Sequence, residues 1–243
     1  MQDIYQGIFP IVPTPFNDDG SLDLDGQRRV IDCMIDQGVD GLCILANYSE
    51  QFLLSDSERE ILQTLCLEHT NARVPIIATC SHFSTRIAVE RCQNAESQGA
   101  AMVMMMAPYH GALLKANDEG VYQHFGALSQ AIDIPIMIQD APLSGVTLPV
   151  PLLARLAKDF SNVSYFKIET PGTAEKLKIL LQAARDHIDG PFDGEEGITL
   201  LADLEAGATG TMTSALACEQ IRPIVIDYLD GRLDDAERQY QRL

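Results

Sequence analysis

A lysine and a glutamate two residues apart in an apolar run are the side chains in this sequence best placed to do chemistry. In Val163-Ser164-Tyr165-Phe166-Lys167-Ile168-Glu169, an extended backbone sends successive side chains to opposite faces. Val163, Tyr165, Lys167 and Glu169 therefore share one face, and Ser164, Phe166 and Ile168 the other. Phe166 and Ile168 suit a layer under helices, so Lys167 faces a packed interior. Burial penalises an ammonium, so its pKa is expected to fall and the neutral amine to become available for attack on a ketone. The product of that attack is a Schiff base, and Glu169 stands where it can take and return protons. A structural ion pair between the same two residues satisfies the pattern equally well, and position alone leaves both readings open.

Other polar residues cluster at predicted strand ends. Asn47, Tyr48 and Ser49 follow an apolar run, and with nearby backbone N–H groups they offer donors for a substrate carboxylate; the plainer reading is a turn into the next helix. His82 follows the third run as a candidate substrate contact, although a loop histidine commonly serves as a surface hydrogen-bonding residue. Asp193-Gly194-Glu195-Glu196 is dense in carboxylates, but no histidine stands beside it. It reads as a solvated loop that lines the substrate tail through Gly194, and no metal site is expected. The methionines at 102, 104, 105 and 106 read as core.

The elements that must position these groups alternate regularly. Candidate strands are Ile8–Thr14, Gly41–Asn47, Pro75–Cys80, Ala101–Pro108, Pro135–Asp140, Val163–Glu169, Ile188–Asp193 and Thr209–Ser214. Amphipathic helical stretches separate and follow them: Asp23–Gln37, Asp56–Thr70, Ser84–Gln98, Asn117–Ala131, Pro149–Lys158, Thr173–His187, Gly197–Ala206 and Cys218–Tyr228. Several open with polar or proline residues suited to an N-terminus, as at Ser55 and Pro149. Glycines at 38, 99, 190 and 207 follow helices, where a cap calls for positive φ. Eight strand–helix units predict an α/β (β/α)8 TIM barrel, whose catalytic groups stand at the C-terminal strand ends. A doubly wound sheet is the competitor, but no G-x-G-x-x-G or P-loop is present.

The 243 residues suit one such barrel, which takes about 250. No apolar stretch reaches the roughly 18 residues of a membrane span, and the N-terminal residues lack a secretory signal. Six scattered cysteines without a C-x-x-C pair suit buried thiols in a reducing, cytoplasmic setting. A formal net charge of −18 excludes nucleic acid and anionic membranes as partners. It also means that an anionic substrate approaches against the overall field and must be held by local donors.

Longer motifs carry a family resemblance from Gly7 to about Pro223. Gly7-Ile8-Phe9-Pro10, Thr14-Pro15-Phe16, Asp19-Gly20-Ser21-Leu22-Asp23, Pro108-Tyr109, Tyr122-Gln123-His124-Phe125 and Phe166-Lys167-Ile168-Glu169 are similar to the dihydrodipicolinate synthase / N-acetylneuraminate lyase family. The resemblance implies that Lys167 forms the Schiff base, that the substrate is a small 2-keto acid, that no cofactor is needed, and that the enzyme is a homotetramer. It implies a substrate-site role for Tyr109, and places His110 where synthases have a tyrosine reaching into a neighbouring subunit's site. Residues 1–230 then form the catalytic barrel, and 231–243 begin the family's C-terminal helical extension, which here is cut short.

Departures from the family pattern bear on the reaction. Ala46-Asn47-Tyr48-Ser49-Glu50 stands where the family has Gly-Thr-Thr-Gly-Glu, so the carboxylate-gripping loop is altered. Gln139 in Ile138-Gln139-Asp140-Ala141-Pro142 replaces the tyrosine that relays protons in aldol chemistry, and an amide cannot do so. Leu143-Ser144-Gly145 lacks the arginine that follows this motif in the synthases. With that tyrosine gone, Glu169 becomes the acid–base group, and dehydration of a 2-keto-3-deoxy sugar acid of the L-2-keto-3-deoxyarabonate type is expected. The rivals are a decarboxylating keto-deoxy-glucarate dehydratase, a pyruvate-type aldolase, and a non-catalytic homologue that only binds a keto acid.

Overall fold

The computed structural model describes residues 4–110 and 114–243. Its strands are β1 (Gly7–Ile8), β2 (Leu42–Ile44), β3 (Ile76–Thr79), β4 (Met102–Met106), β5 (Tyr109–His110), β6 (Leu114–Lys115), β7 (Ile136–Asp140), β8 (Val163–Ile168), β9 (Gly190–Asp193) and β10 (Gly210–Thr211). The helices are α1 (Leu24–Asp36), α2 (Asp56–Thr70), α3 (Thr85–Ser97), α4 (Asp118–Ser129), α5 (Val150–Asp159), α6 (Thr173–Ala184), α7 (Leu200–Glu205), α8 (Cys218–Leu229) and α9 (Leu233–Tyr240).

Eight parallel strands pair in the order β1-β10-β9-β8-β7-β4-β3-β2. The two ends of that order meet through a parallel bridge between Ile11 and Cys43. Val12 N donates to Cys43 O at 2.8 Å and Cys43 N to Pro10 O at 3.0 Å, which closes the barrel. The expected strand Ile8–Thr14 is reduced to β1, but its ladder continues irregularly as Phe9 N bonds Thr211 O and Ile11 N bonds Thr213 O. β5 and β6 form a small antiparallel hairpin outside the barrel. Two residues per strand are too few to leave a periodic signal, and the sequence reading contains no such element.

Helix starts follow their capping residues. Asp23 accepts from Gly26 N ahead of α1, and Ser55 with Glu58 forms a reciprocal capping box on α2. Such caps contribute about 1 kcal/mol each. Gly38, Gly99 and Gly207 have positive φ as expected, but Gly190 does not. Gly190 instead begins β9, where a β-carbon would meet the Tyr165 ring at 2.7 Å; the absence of a side chain there serves packing.

Two apolar layers result. Inside the barrel lie Phe9, Cys43, Met102, Met104, Met137, Tyr165, Phe192 and Met212, while Phe166, Ile168, Val103 and Met105 pack outward beneath the helices. Val163 belongs to the outer layer, against the expectation that it shares the face of Lys167. The ladder explains this: Ile136 pairs with Val163 and the next residue, Met137, with Tyr165, so Ser164 is an extra residue in β8 that resets its alternation before Tyr165. Below Lys167, the rings of Tyr5, Phe9, Tyr165 and Phe192 gather with centroids 5.6–6.3 Å apart. Tyr5 N donates to the Tyr165 hydroxyl at 2.9 Å, so this aromatic layer floors the barrel.

Candidate active site

The C-terminal half of β8 carries Lys167 inward. Its side chain is 4% exposed and its Nζ lies 2.6 Å from Glu169 Oε1, while Glu169 is 16% exposed and marks the way out to the mouth. Gln139, which faces Lys167 from β7, donates through Nε2 to the same Glu169 oxygen at 3.0 Å. Glu169 N in turn donates to Asp140 O at 3.0 Å. The neighbouring Asp140 carboxylate is buried and paired with Lys176 of α6. Glu169 is thus held between a cation and an amide, and Gln139 Oε1 is buried without a donor. A hydrogen-bonding group entering the site would meet that free acceptor.

The charge state of Lys167 differs from the sequence expectation. Burial does push its ammonium down, but the Glu169 carboxylate outweighs it, with smaller help from Cys43 and Asp193, and the group is held above the ordinary lysine range. The resting pair is ionic. An amine ready to attack must therefore come from proton transfer along the 2.6 Å contact to Glu169, which yields a neutral lysine and a neutral acid. The internal ion pair and the nucleophile are two states of one arrangement.

The loop after β2 forms a single 3-10 turn, Asn47–Ser49. Asn47 Oδ1 accepts from Gln51 Nε2 at 2.8 Å. Ser49 is buried, its Oγ donates to Val12 O at 2.6 Å, and its carbonyl accepts from Thr14 Oγ1 at 2.8 Å. That hydroxyl proton is already committed. Tyr48 is exposed, and its phenol is pushed up by partial burial and by the facing Glu196 carboxylate.

The acidic stretch after β9 is not a solvated loop. Asp193 is fully buried. It accepts from Thr211 Oγ1 at 2.6 Å and from Glu195 N at 3.0 Å. Glu196, at φ 55°, accepts Ser214 N with both oxygens at 2.8 and 3.0 Å. These carboxylates turn inward because backbone and hydroxyl donors of the β9 and β10 ends meet them there. Gly194 packs directly on the side chains of Lys167 and Glu169. Among the described residues, no group of three or more His, Cys, Asp or Glu could hold a metal ion.

His82 lies elsewhere. It lines a cavity of about 310 Å³ with Arg59, Ser81, Phe83 and Arg91, and neither Lys167 nor Glu169 is among the described lining residues. Its Nδ1 accepts from Ser84 N at 2.9 Å and its ring stacks on Phe83. The backbones of Tyr109 and His110 form β5; their side chains lie outside the described residues. Sequence reasoning missed Cys43, a buried thiol pushed up to about 11 by burial, and Asp203, fully buried on α7. Cys43 sits mid-strand with no polar neighbour to single it out. Asp203 was detectable, since it shares the helical spacing of Leu200 and Leu204.

The sequence pattern of the dihydrodipicolinate synthetase family matches residues 4–243. The chain belongs to this family. Within the dihydrodipicolinate synthetase family, it is 54% identical over 237 residues to L-2-keto-3-deoxyarabonate dehydratase of Azospirillum brasilense, covering 98% of this chain and 77% of that one. It is 31% identical over 201 residues to 4-hydroxy-tetrahydrodipicolinate synthase of Phocaeicola vulgatus, covering 82% of this chain and 66% of that one. The fold matches that of dihydrodipicolinate synthase from Aquifex aeolicus with a TM-score of 0.91 at 23% identity, over 98% of this chain and 80% of that one.

Proposed function

We propose that this protein is a lyase that dehydrates a 2-keto-3-deoxy sugar acid through a Schiff base on Lys167, with L-2-keto-3-deoxyarabonate as the substrate and α-ketoglutarate semialdehyde as the product. The observation that carries the reading is the buried Lys167–Glu169–Gln139 constellation, and the 54% identity to a dehydratase of that name supports it.

The chemistry needs one proton path. Glu169 takes a proton from the Lys167 ammonium, and the amine adds to the C2 ketone to give a carbinolamine. Glu169 returns the proton to the C2 hydroxyl, which leaves as water and creates an iminium. The iminium draws electrons from C3–H, so the Glu169 carboxylate can remove that proton and leave an enamine. The enamine pair then expels the C4 hydroxyl, protonated by Glu169, as a second water. A proton shift from C5 to C3 makes the C4–C5 enol, which becomes the terminal aldehyde. Hydrolysis of the imine consumes one water and frees Lys167. The net change is loss of one water. The iminium is the electron sink, so no cofactor is required by this scheme.

Gln139 supports dehydration over aldol chemistry, because it holds Glu169 but cannot ionise. Free cysteines throughout the described residues support a cytoplasmic setting, and the family resemblance supports a homotetramer and a role in pentose catabolism. The test is incubation with L-2-keto-3-deoxyarabonate and detection of semialdehyde, carbon dioxide or pyruvate, together with borohydride trapping and peptide mapping. Semialdehyde and a reduced adduct on Lys167 are expected. Pyruvate or carbon dioxide in place of semialdehyde overturns the dehydratase reading, and an unlabelled protein overturns the Schiff base.

A further inference from the structure

The residue whose carbonyl receives Glu169 N also supplies the carboxylate of a second ion pair, which the dehydration scheme leaves unused. Asp140 ends β7 and pairs with Ile168 in the ladder. Gln139 points into the barrel, so alternation sends the Asp140 side chain through the wall to the helix side, the side of Ile138 and Ile168. There its carboxylate, 0% exposed, meets the ammonium of Lys176 from the first turn of α6. Asp140 Oδ1 also accepts from Leu148 N at 3.4 Å. Glu169 is the first residue after β8, and only Thr170, Pro171 and Gly172 separate it from α6. Gly172 turns the chain there at φ 82°, and Thr173 Oγ1 donates to Thr170 O at 2.8 Å. This short turn moves with α6, and Lys176 fixes α6 to β7 by reaching back across the end of β8. The dipeptide Gln139-Asp140 thus holds Glu169 three ways: its carboxylate through Gln139 Nε2 at 3.0 Å, its backbone N through Asp140 O at 3.0 Å, and the helix behind it through the ion pair.

We propose that Asp140 and Lys176 are positioning residues, an ion pair on the outer side of the barrel wall that sets the Glu169 carboxylate for removal of the C3 proton. Neither side chain shares the face of Lys167, so the pair acts through Glu169 and not on the substrate. Its net charge is zero, and deleting both partners leaves no unpaired buried charge behind, which spares the fold. What is lost is the tie between α6 and β7. The turn that carries Glu169 is then free to shift relative to Lys167, and a shift of about 1 Å costs about 100-fold in a proton-transfer rate. Formation of the imine at equilibrium depends on Lys167 and is spared.

The inference rests on the Schiff-base reading for its catalytic consequence, and pyruvate, a keto acid without a C4 hydroxyl, separates the steps. Borohydride trapping reads the imine at equilibrium. Exchange of the pyruvate methyl hydrogens in D2O, followed by proton NMR, reads C3 proton removal by Glu169. D140L/K176M should give a wild-type yield of adduct, with exchange slower by about 100-fold and an unchanged circular dichroism spectrum. Should that variant not fold, D140N, which is isosteric and keeps an acceptor for Leu148 N, should lose about tenfold in exchange, while K176R, which keeps the pair, should exchange as the wild type does. Wild-type exchange in D140L/K176M or D140N overturns the proposal, and so does a parallel fall of adduct and exchange, which marks a merely structural pair. Amide hydrogen exchange at Glu169 without substrate reads the clamp itself: it should be about tenfold faster in the variants, and an unchanged rate overturns the clamp. Absence of any adduct in the wild type removes the Schiff base and with it the catalytic role of the pair, while the amide measurement still decides the clamp.

Discussion

A β-carbon on Gly194 would lie 2.7 Å from Lys167 Cε and 2.5 Å from Glu169 Cγ. The loop after β9 thus closes over the reacting pair with no room for any side chain. G194A should push Glu169 off its partner while leaving the hydrophobic layers intact. A displacement of about 1 Å can cost about 10²-fold in rate, so kcat should drop by that order with the melting temperature nearly unchanged. Full activity in the variant would show that Glu169 moves without consequence.

Substitution E169Q separates the two duties assigned to the carboxylate. Without the negative charge, burial prevails at Lys167 and its ammonium loses its proton more readily, so borohydride should trap a pyruvate adduct at lower pH than in the wild type. Dehydration should nevertheless fall by about 10² to 10⁴-fold, the usual worth of a positioned acid–base group. Near-normal turnover assigns the base elsewhere.

Gln139 is argued to hold Glu169 through one hydrogen bond. Q139L removes that donor, and also the free acceptor Oε1, without adding charge. A net hydrogen bond to a charged group contributes about 1.5–3 kcal/mol, so a loss in kcat/KM of roughly 10 to 100-fold is expected. Steady-state kinetics on purified variant and wild type decide the matter.

His124 gives the fold a pH dependence of its own. It is buried against Phe125 with Nδ1 2.9 Å from Thr85 Oγ1, and burial pushes its pKa from 6.5 to about 4. The unfolded chain therefore binds a proton between about pH 6.5 and 4 that the folded protein refuses, so stability falls as pH drops through this window. The full effect is about 3 kcal/mol. Asp203 acts with opposite sign, because its raised pKa lets the folded state keep a proton that the unfolded chain loses as pH rises from about 4 towards 7. Urea midpoints of wild type and H124Q at pH 7 and 4.5 isolate the histidine contribution; equal pH slopes would count against it.

The barrel and its lysine were legible because both depend on short-range periodicity. Alternation along β8 puts Lys167 and Glu169 on one face whatever the rest of the molecule does. The sign of the Lys167 shift was not legible, since it is a sum over groups delivered by different strands: Glu169 on its own strand, Cys43 from β2 and Asp193 from β9. The inward turn of Asp193 likewise depends on the Thr211 hydroxyl, which approaches only once β9 and β10 pair. His82 was assigned to the catalytic end correctly as to strand, yet its loop bends it towards Arg91 and away from the pair. Val163 fell on the wrong layer because the extra residue Ser164 in β8 shows only against the register of β7 and leaves no mark in the periodicity of its own strand.

The ring cluster of Tyr5, Phe9, Tyr165 and Phe192 turns the barrel from a pipe into a cup. Keto acid, departing water and product all share a single doorway at the rim. A molecule of product still seated there blocks the next arrival, so turnover is strictly sequential.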